Sequence, residues 1–259
     1  MELFHQLDGE GETVVLVHAG ICDSRQWDDQ WPTFTAVHRV VRLDLRGFGR
    51  TPQGDEPYSS AGDVLALLDR LGIERAALVG ASMGGRVALE AAIARPGLVS
   101  ALVLVCAGLP NHQWSPTVRA YGEAEDAALE RGDIEQACEL NVRMWVDGPG
   151  RTPEQVDPLV RERVRAMQRR AFELQLGEED REQLLVDDPA AAAAELRLPA
   201  LVAVGEHDVE DMQAIGDLLA SRIPGAVRMT IPGAAHVPNM ERPAEFDQLV
   251  LGFLAEHAA

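Results

Sequence analysis

The sequence predicts an α/β fold, a mostly parallel sheet flanked by helices on both faces, and three observations predict it. Short apolar runs near 13–18, 38–44, 75–80, 99–106, 199–205 and 226–231 alternate with helical stretches, the pattern of strands buried on both faces. Between Leu109 and Leu198 the strands stop and polar helices take over. The third apolar run leads through Gly80-Ala81-Ser82-Met83-Gly84 straight into an alanine-rich helix. A chain of 259 residues, 46% of them hydrophobic, can bury one large core. One core built from 1–108 and 199–259 is therefore expected, carrying 109–198 as a helical cap insertion.

The elements follow in order. Val14-Val15-Leu16-Val17 is an apolar strand that runs into the small-residue loop His18-Ala19-Gly20-Ile21. Such a loop can aim a backbone N–H at an oxyanion; Gly20 is the first choice of donor and Ile21 the second. His18, at the end of a buried strand, reads as a structural tie for that loop. Ala76 to Val79 is a buried strand, and Val87, Ala88, Ala91, Ala92 and Ala94 form a small-residue helix face ended by Pro96. The pentapeptide between them has the form of a nucleophile elbow, in which Gly80 and Gly84 remove bulk that would collide in a tight strand-to-helix turn. The turn exposes the Ser82 hydroxyl and leaves the Met83 N–H at a helix N-terminus, where negative charge is stabilised.

A serine hydroxyl is a weak nucleophile, so a base and an orienting carboxylate are required. His236 has the right setting, on the Pro232-Gly233-Ala234-Ala235 loop between a short strand and the last helix. His5, His38 and His257 read as solvated, and His112 remains a candidate for substrate contact. Leu201-Val202-Ala203-Val204-Gly205 is a strand followed at once by Glu206-His207-Asp208, and Asp208 is the expected acid, with Glu206 and Asp211 as competitors. An aspartate in that position can also be only a helix N-cap. The order Ser82, Asp208, His236 is the one hydrolases of this architecture use, and the 28 residues between acid and base leave room for a helix and a strand.

Within the cap, Asp133, Thr152-Pro153-Glu154-Gln155 and Asp188-Pro189 are helix starts, and Ala190 to Ala194 is helical. Ile134, Cys138, Val142 and Trp145 share one helix face, and Val156, Val160, Val164, Met167, Ala171 and Leu174 another. Both stripes are chiefly packing surfaces. An insertion over the strand ends also roofs the site, so Trp114, Met144, Trp145 and Met167, with Ile21 and Val237 from the core, are candidates to line an apolar substrate pocket.

On these residues the chain resembles the α/β-hydrolase superfamily, in the branch of esterases, enol-lactonases and cofactor-free perhydrolases with a helical cap. His18-Ala19-Gly20 resembles the His-Gly-x oxyanion loop with alanine in place of the usual glycine, and Trp27 falls where that branch often carries tryptophan. Asp44-Leu45-Arg46-Gly47-Phe48-Gly49 resembles the family's Asp-x-Arg-Gly-x-Gly loop, and Gly80–Gly85, Gly205–Asp208 and Gly233–His236 resemble its three catalytic loops. The resemblance implies the α/β-hydrolase fold with the cap inserted after the sixth strand. It implies a serine hydrolase acting on a small ester or lactone, with no cofactor and no metal. Peracid formation and carbon–carbon bond hydrolysis on the same triad are the neighbouring alternatives. A hydrolase-fold protein that binds a ligand with little turnover is the alternative of another class, and thioesterase action on a coenzyme-A substrate a further one. Serine at the elbow argues against the epoxide hydrolases and haloalkane dehalogenases, which use aspartate there.

Composition excludes several functions. Twenty-three basic against 42 acidic residues give a net charge of −19, which repels nucleic-acid backbones and anionic membrane surfaces. Every basic residue is arginine; without lysine there is no Walker-type phosphate loop and no Schiff-base chemistry. Cys22, Cys106 and Cys138 lack metal-ligand spacing and disulfide arithmetic. Met1-Glu2-Leu3-Phe4-His5 lacks the features of a signal peptide, and no run approaches a membrane span, so a cytoplasmic protein is expected. A small-molecule substrate is the expected partner, and a homo-oligomer is compatible with this surface.

Overall fold

The structure, a computed structural model, describes residues 1–177 and 181–257. Seven strands form one sheet: β1 (His5–Asp8), β2 (Thr13–Val17), β3 (Arg39–Leu43), β4 (Ala76–Ala81), β5 (Val99–Val105), β6 (Ala200–Gly205) and β7 (Val227–Ile231). Their spatial order is β1-β3-β2-β4-β5-β6-β7; β1 runs antiparallel to β3 and every other pairing is parallel. Strands β4, β5 and β6 are buried along their whole lengths, which is why they read as continuous apolar runs.

The helices of the core are α1 (Trp31–Thr35), α2 (Ser60–Arg70) and α3 (Met83–Ala94), followed after the insertion by α7 (Pro189–Ala192), α8 (Glu210–Arg222), α9 (Pro238–Glu241) and α10 (Pro243–His257). The insertion holds α4 (Pro116–Glu130), α5 (Ile134–Asn141), a π-helical stretch Val142–Asp147 and α6 (Pro158–Gln175). Asp133 and Asp188 cap their helices through side-chain oxygens. The Thr152 capping box closes only a 3₁₀ turn, Pro153–Gln155; the long helix α6 starts at the next aspartate, Asp157.

Two expectations change. The cap leaves the sheet after β5, the fifth strand of the chain, not after the sixth, because the antiparallel edge is a single strand, β1, ahead of β2. Its four residues, His5-Gln6-Leu7-Asp8, include one apolar side chain, the exposed Leu7, and so carry no apolar run. And α7 packs against α3 and α8, so the last ten or so residues of 109–198 run back along the core and do not roof the site.

Strand order reverses at β2: β3 lies on one side of it and β4 on the other. The chain therefore leaves β2 and β4 in opposite directions, and a crevice opens at their carboxyl ends, where ligands bind in open α/β sheets. The loop after β2 and the turn after β4 are the two predicted oxyanion elements. Among the described residues no helix is long and apolar enough to cross a membrane.

Candidate active site

Among the described residues Ser82 is one of three non-glycine residues with positive φ, at φ 51° and ψ −114°. Such backbone persists only when its surroundings over-determine it. Here the Ser82 N–H donates to Val105 O at 2.8 Å, and the Ser82 carbonyl accepts from Gly85, Arg86 and Gly108 N–H at 3.0, 3.1 and 3.0 Å. The flanking glycines are required by close approach. A Cβ on Gly80 would press into the Gly84 carbonyl, and one on Gly84 into the carbonyls of Val17 and His18. Thus α3 starts directly against the end of β2. The Ser82 hydroxyl makes no capping bond to α3, and the side chain is half-buried.

The loop after β2 is held from three sides. The Ala19 N–H donates to Gln26 Oε1 at 2.8 Å and the Cys22 N–H to Ala19 O at 2.9 Å. His18 ties the loop with both ring nitrogens, Nδ1 bonded to Ala19 O at 2.8 Å and Nε2 accepting the Leu45 N–H at 3.0 Å. That assignment requires a neutral ring, and burial does push the His18 pKa below its ordinary value. Gly20 lies against Met83: a Cβ on Gly20 would sit 3.6 Å from the Met83 Cβ, so the two expected oxyanion donors belong to neighbouring stretches of chain.

The expected acid and base, Asp208 and His236, lie on the loops after β6 and β7. His236 Nδ1 bonds Asp208 Oδ2 at 2.8 Å, and both side chains are buried. Asp208 Oδ1 accepts the Val209 N–H at 2.8 Å, which fixes the carboxylate plane. With Nδ1–H given to the carboxylate, Nε2 is left as the free acceptor of the ring, the tautomer a general base needs. A Cβ on Gly205 would press into the Ala235 and Ala234 carbonyls, which explains a glycine at the end of β6. The competing acids face elsewhere. Glu206 is exposed and accepts the Gly233 N–H at 2.9 Å. Asp211 Oδ1 binds His112 Nε2 at 3.0 Å and the Ser115 N–H at 2.8 Å, tying the cap's entry to α8. Burial raises the Asp211 carboxyl, but these hydrogen bonds outweigh it and hold the pKa below its ordinary value.

Profile comparison matches residues 14–249 to the Alpha/beta hydrolase family. The chain belongs to the alpha/beta hydrolase family. It is 31% identical over 262 residues to the dihydrolipoyllysine-residue acetyltransferase component of the acetoin cleaving system of Pseudomonas putida, covering 97% of this chain but only 66% of that longer protein. It is also 31% identical to the pimeloyl-[acyl-carrier protein] methyl ester esterase of Methylococcus capsulatus, over 98% of this chain and 99% of the relative. Among solved structures, the enol-lactonase from Burkholderia xenovorans LB400 matches with a TM-score of 0.79 at 25% identity, over 98% of this chain and 96% of that one.

Three features of this hydrolase carry no sequence motif. Cys106, at the end of β5, has φ 44° and sets its Sγ within 4.8 Å of Asp208 and His236. Cysteine, aspartate and histidine are metal-ligand types, yet the geometry is that of hydrogen bonding. Asp208 and His236 are already bonded to each other, and burial, then the nearby Asp208 charge, push the Cys106 thiol well up, so it stays protonated. The second feature is a buried amide cluster. Gln26 Nε2 donates to Asn239 Oδ1 at 3.0 Å, and Asn239 Nδ2 donates to Gln26 O at 2.9 Å and Gln30 Oε1 at 3.0 Å. It links the loop after β2 to α9, which begins two residues after His236. The third is a clamp: Arg151 donates to Val146 O and Asp147 O at 2.7 Å each, to Gly233 O at 3.1 Å and to Glu241 Oε2 at 2.6 Å, while Glu241 Oε1 accepts the Ala235 N–H at 2.8 Å. Burial raises the Glu241 carboxyl above its ordinary value, against the pull of Arg151.

A cavity of about 580 Å³ opens between core and cap and reaches Met83, the neighbour of the elbow serine. Phe48 and Arg46 wall it from the core, and Glu125, Leu129, Phe172 and Gln175 from α4 and α6. None of the six residues expected to line a pocket is on its wall. Ile21, Met167 and Val237 are buried in the core cluster. Met144 lines a separate depression of about 320 Å³, with Tyr121 and Arg151. Trp114 stands edge-on to His112, ring centres 5.0 Å apart. Trp145 lies on His236.

Proposed function

We propose that this chain is a serine hydrolase that cleaves a small ester or lactone through an acyl-enzyme. The observation that carries the reading is the buried 2.8 Å bond from His236 Nδ1 to Asp208 at the ends of β6 and β7, on the same sheet edge as the strained elbow at Ser82. Ser82 Oγ attacks the substrate carbonyl and its proton passes to His236 Nε2. The tetrahedral oxyanion accepts from the Met83 and Gly20 N–H groups. Collapse expels the alcohol, which takes the proton from His236; in a lactone the alcohol stays joined to the acyl group. Water then repeats the sequence on the acyl-enzyme and frees the acid. Asp208 holds the imidazole in the productive tautomer and stabilises the imidazolium.

The curated relative named as a methyl ester esterase and the solved enol-lactonase support ester or lactone chemistry over other hydrolyses. The cavity supports a small substrate: its volume lies in the range of ordinary ligand sites, and its wall mixes Phe48, Leu129 and Phe172 with Arg46, Glu125 and Gln53. The test is covalent labelling by a fluorophosphonate together with nitrophenol release from short-chain esters. Ser82→Ala is expected to abolish labelling and lower hydrolysis by roughly 10³-fold or more. Retained turnover in that variant refutes the assignment.

A further inference from the structure

The sequence pattern gives Trp145 to an apolar helix stripe with Ile134, Cys138 and Val142, but the structure puts it elsewhere. Helix α5 ends at Asn141, and Val142–Asp147 continue as π-helix. Wide turns of this kind are rare and are frequently found at functional sites. The wider turn advances less per residue, so the positions after 142 rotate away from the α-helical stripe. Met144 then faces the depression it shares with Tyr121, and Trp145 faces the loop after β7.

There it meets the catalytic histidine twice. Its indole lies over the His236 imidazole with ring centres 4.6 Å apart and a tilt of 42°. Its carbonyl accepts the His236 N–H at 3.1 Å. The indole is backed in turn by Tyr121, edge-on at 5.7 Å, whose hydroxyl donates to Asn141 Oδ1 at 2.8 Å. The π-helical stretch is anchored at its far end, where Asp147 pairs with the buried Arg161 and Arg151 binds the carbonyls of Val146 and Asp147 as well as Gly233 on the histidine loop. Asp208 holds the imidazole at one edge, at Nδ1, and Cys106 lies close to both groups. One edge contact leaves the ring free to swing about the Nδ1–carboxylate bond. A flat aromatic surface against the ring face removes that freedom.

We propose that Trp145 is a positioning residue for His236: the cap, through this π-helical stretch, sets the orientation of the catalytic base. The inference rests on the reading of Ser82, His236 and Asp208 as a hydrolytic triad. Because a displacement of about 1 Å at a reacting group can cost on the order of 10²-fold in rate, Trp145→Met, which keeps much of the volume but no aromatic face, lowers kcat and the rate of fluorophosphonate labelling by roughly 10- to 100-fold while KM changes by less than about threefold. Trp145→Phe restores most of the rate.

The assay measures labelling rate, kcat and KM on nitrophenyl acetate and butyrate for the wild type and both variants, each normalised to folded protein. A W145M enzyme with wild-type kcat and labelling but an altered chain-length preference overturns the proposal and makes Trp145 a pocket wall. Equal losses in W145M and W145F also overturn it, since the aromatic face then does not matter. If W145M does not fold, proton NMR of the wild type decides: nuclear Overhauser contacts between the indole and the His236 ring protons are expected, and their absence refutes the geometry. Failure of the wild type itself to be labelled refutes the triad reading instead, so the two failures are distinguishable.

Discussion

Asn239→Leu is the substitution whose cost is best worked from the structure. Leucine matches asparagine in shape, so no cavity forms, but three hydrogen bonds disappear: those from Nδ2 to Gln26 O and Gln30 Oε1, and that from Gln26 Nε2 to Oδ1. All three side chains are fully buried, so water cannot replace the lost partner. Leaving a buried donor or acceptor unmade costs about 1–3 kcal/mol, so three orphans sum to roughly 3–9 kcal/mol, and reorientation of the two glutamines puts the expected value near 3–5 kcal/mol. That is a large share of the 5–15 kcal/mol typical of a whole domain, and at about 2–4 °C per kcal/mol it lowers the thermal midpoint by roughly 10 °C. Gln26 also holds the Ala19 N–H, so slack in the cluster reaches the oxyanion loop and kcat falls along with stability. The assay is urea unfolding of the wild type, N239L, Q26L and the double variant, read at constant m-value, beside kcat on a short-chain ester. Because both residues belong to one network, the double variant loses less than the sum of the singles. A loss under about 1 kcal/mol for N239L, or strict additivity in the double variant, refutes the reasoning.

Two further outcomes are expected. Asp208→Asn lowers turnover by up to about 10⁴-fold with the fold intact, because the amide favours the wrong tautomer of His236, whereas Glu206→Gln changes kcat little; steady-state kinetics of both variants decides between the two carboxylates. The three cysteines are buried, with Cys22 and Cys106 thiols pushed well up by burial and Cys138 raised to about 11, so a maleimide at pH 8 modifies none of them quickly in the native protein and all three after denaturation, as counted by mass spectrometry.

The parts of the site that sequence could name are those carried by local steric demands. A serine between two glycines after a buried strand implies the elbow, and the structure shows why: the carbonyls of Gly84, Val17 and His18 leave no room for a Cβ. A glycine at the end of β6 and a Gly/Ala loop after β7 likewise announce two chains in close approach, where Asp208 reaches His236. What sequence could not supply is direction. Strand β1 pairs with β3 through three polar residues and one exposed leucine, so no apolar run marks it in the sequence. The stripe ending in Trp145 assumed 3.6 residues per turn, and a change of helix type after Asn141 turned that side chain onto His236. The cavity wall drew on Arg46 and Phe48, from a loop valued for its glycines, and on α4 and α6 residues outside the apolar stripes.

The abundance of arginine and acid invites the view that ion pairs hold cap to core, but magnitude separates the pairs that matter from those that do not. Arg95–Asp69, Arg242–Glu245 and Arg170–Glu173 are exposed, and such pairs contribute about 0–1 kcal/mol. Arg151–Glu241 differs in kind. Both side chains are more than nine-tenths buried, the guanidinium fork also fills three backbone carbonyls, and removing one partner strands a charge at a cost of roughly 3–5 kcal/mol. Its carbonyl partners belong to the π-helical stretch and to the histidine loop. This buried tie between cap and core is thus made beside His236, whereas Ser82 is held by the main chain of Val105 and Gly108. In the proposed mechanism this tie couples the cap to the base and not to the nucleophile.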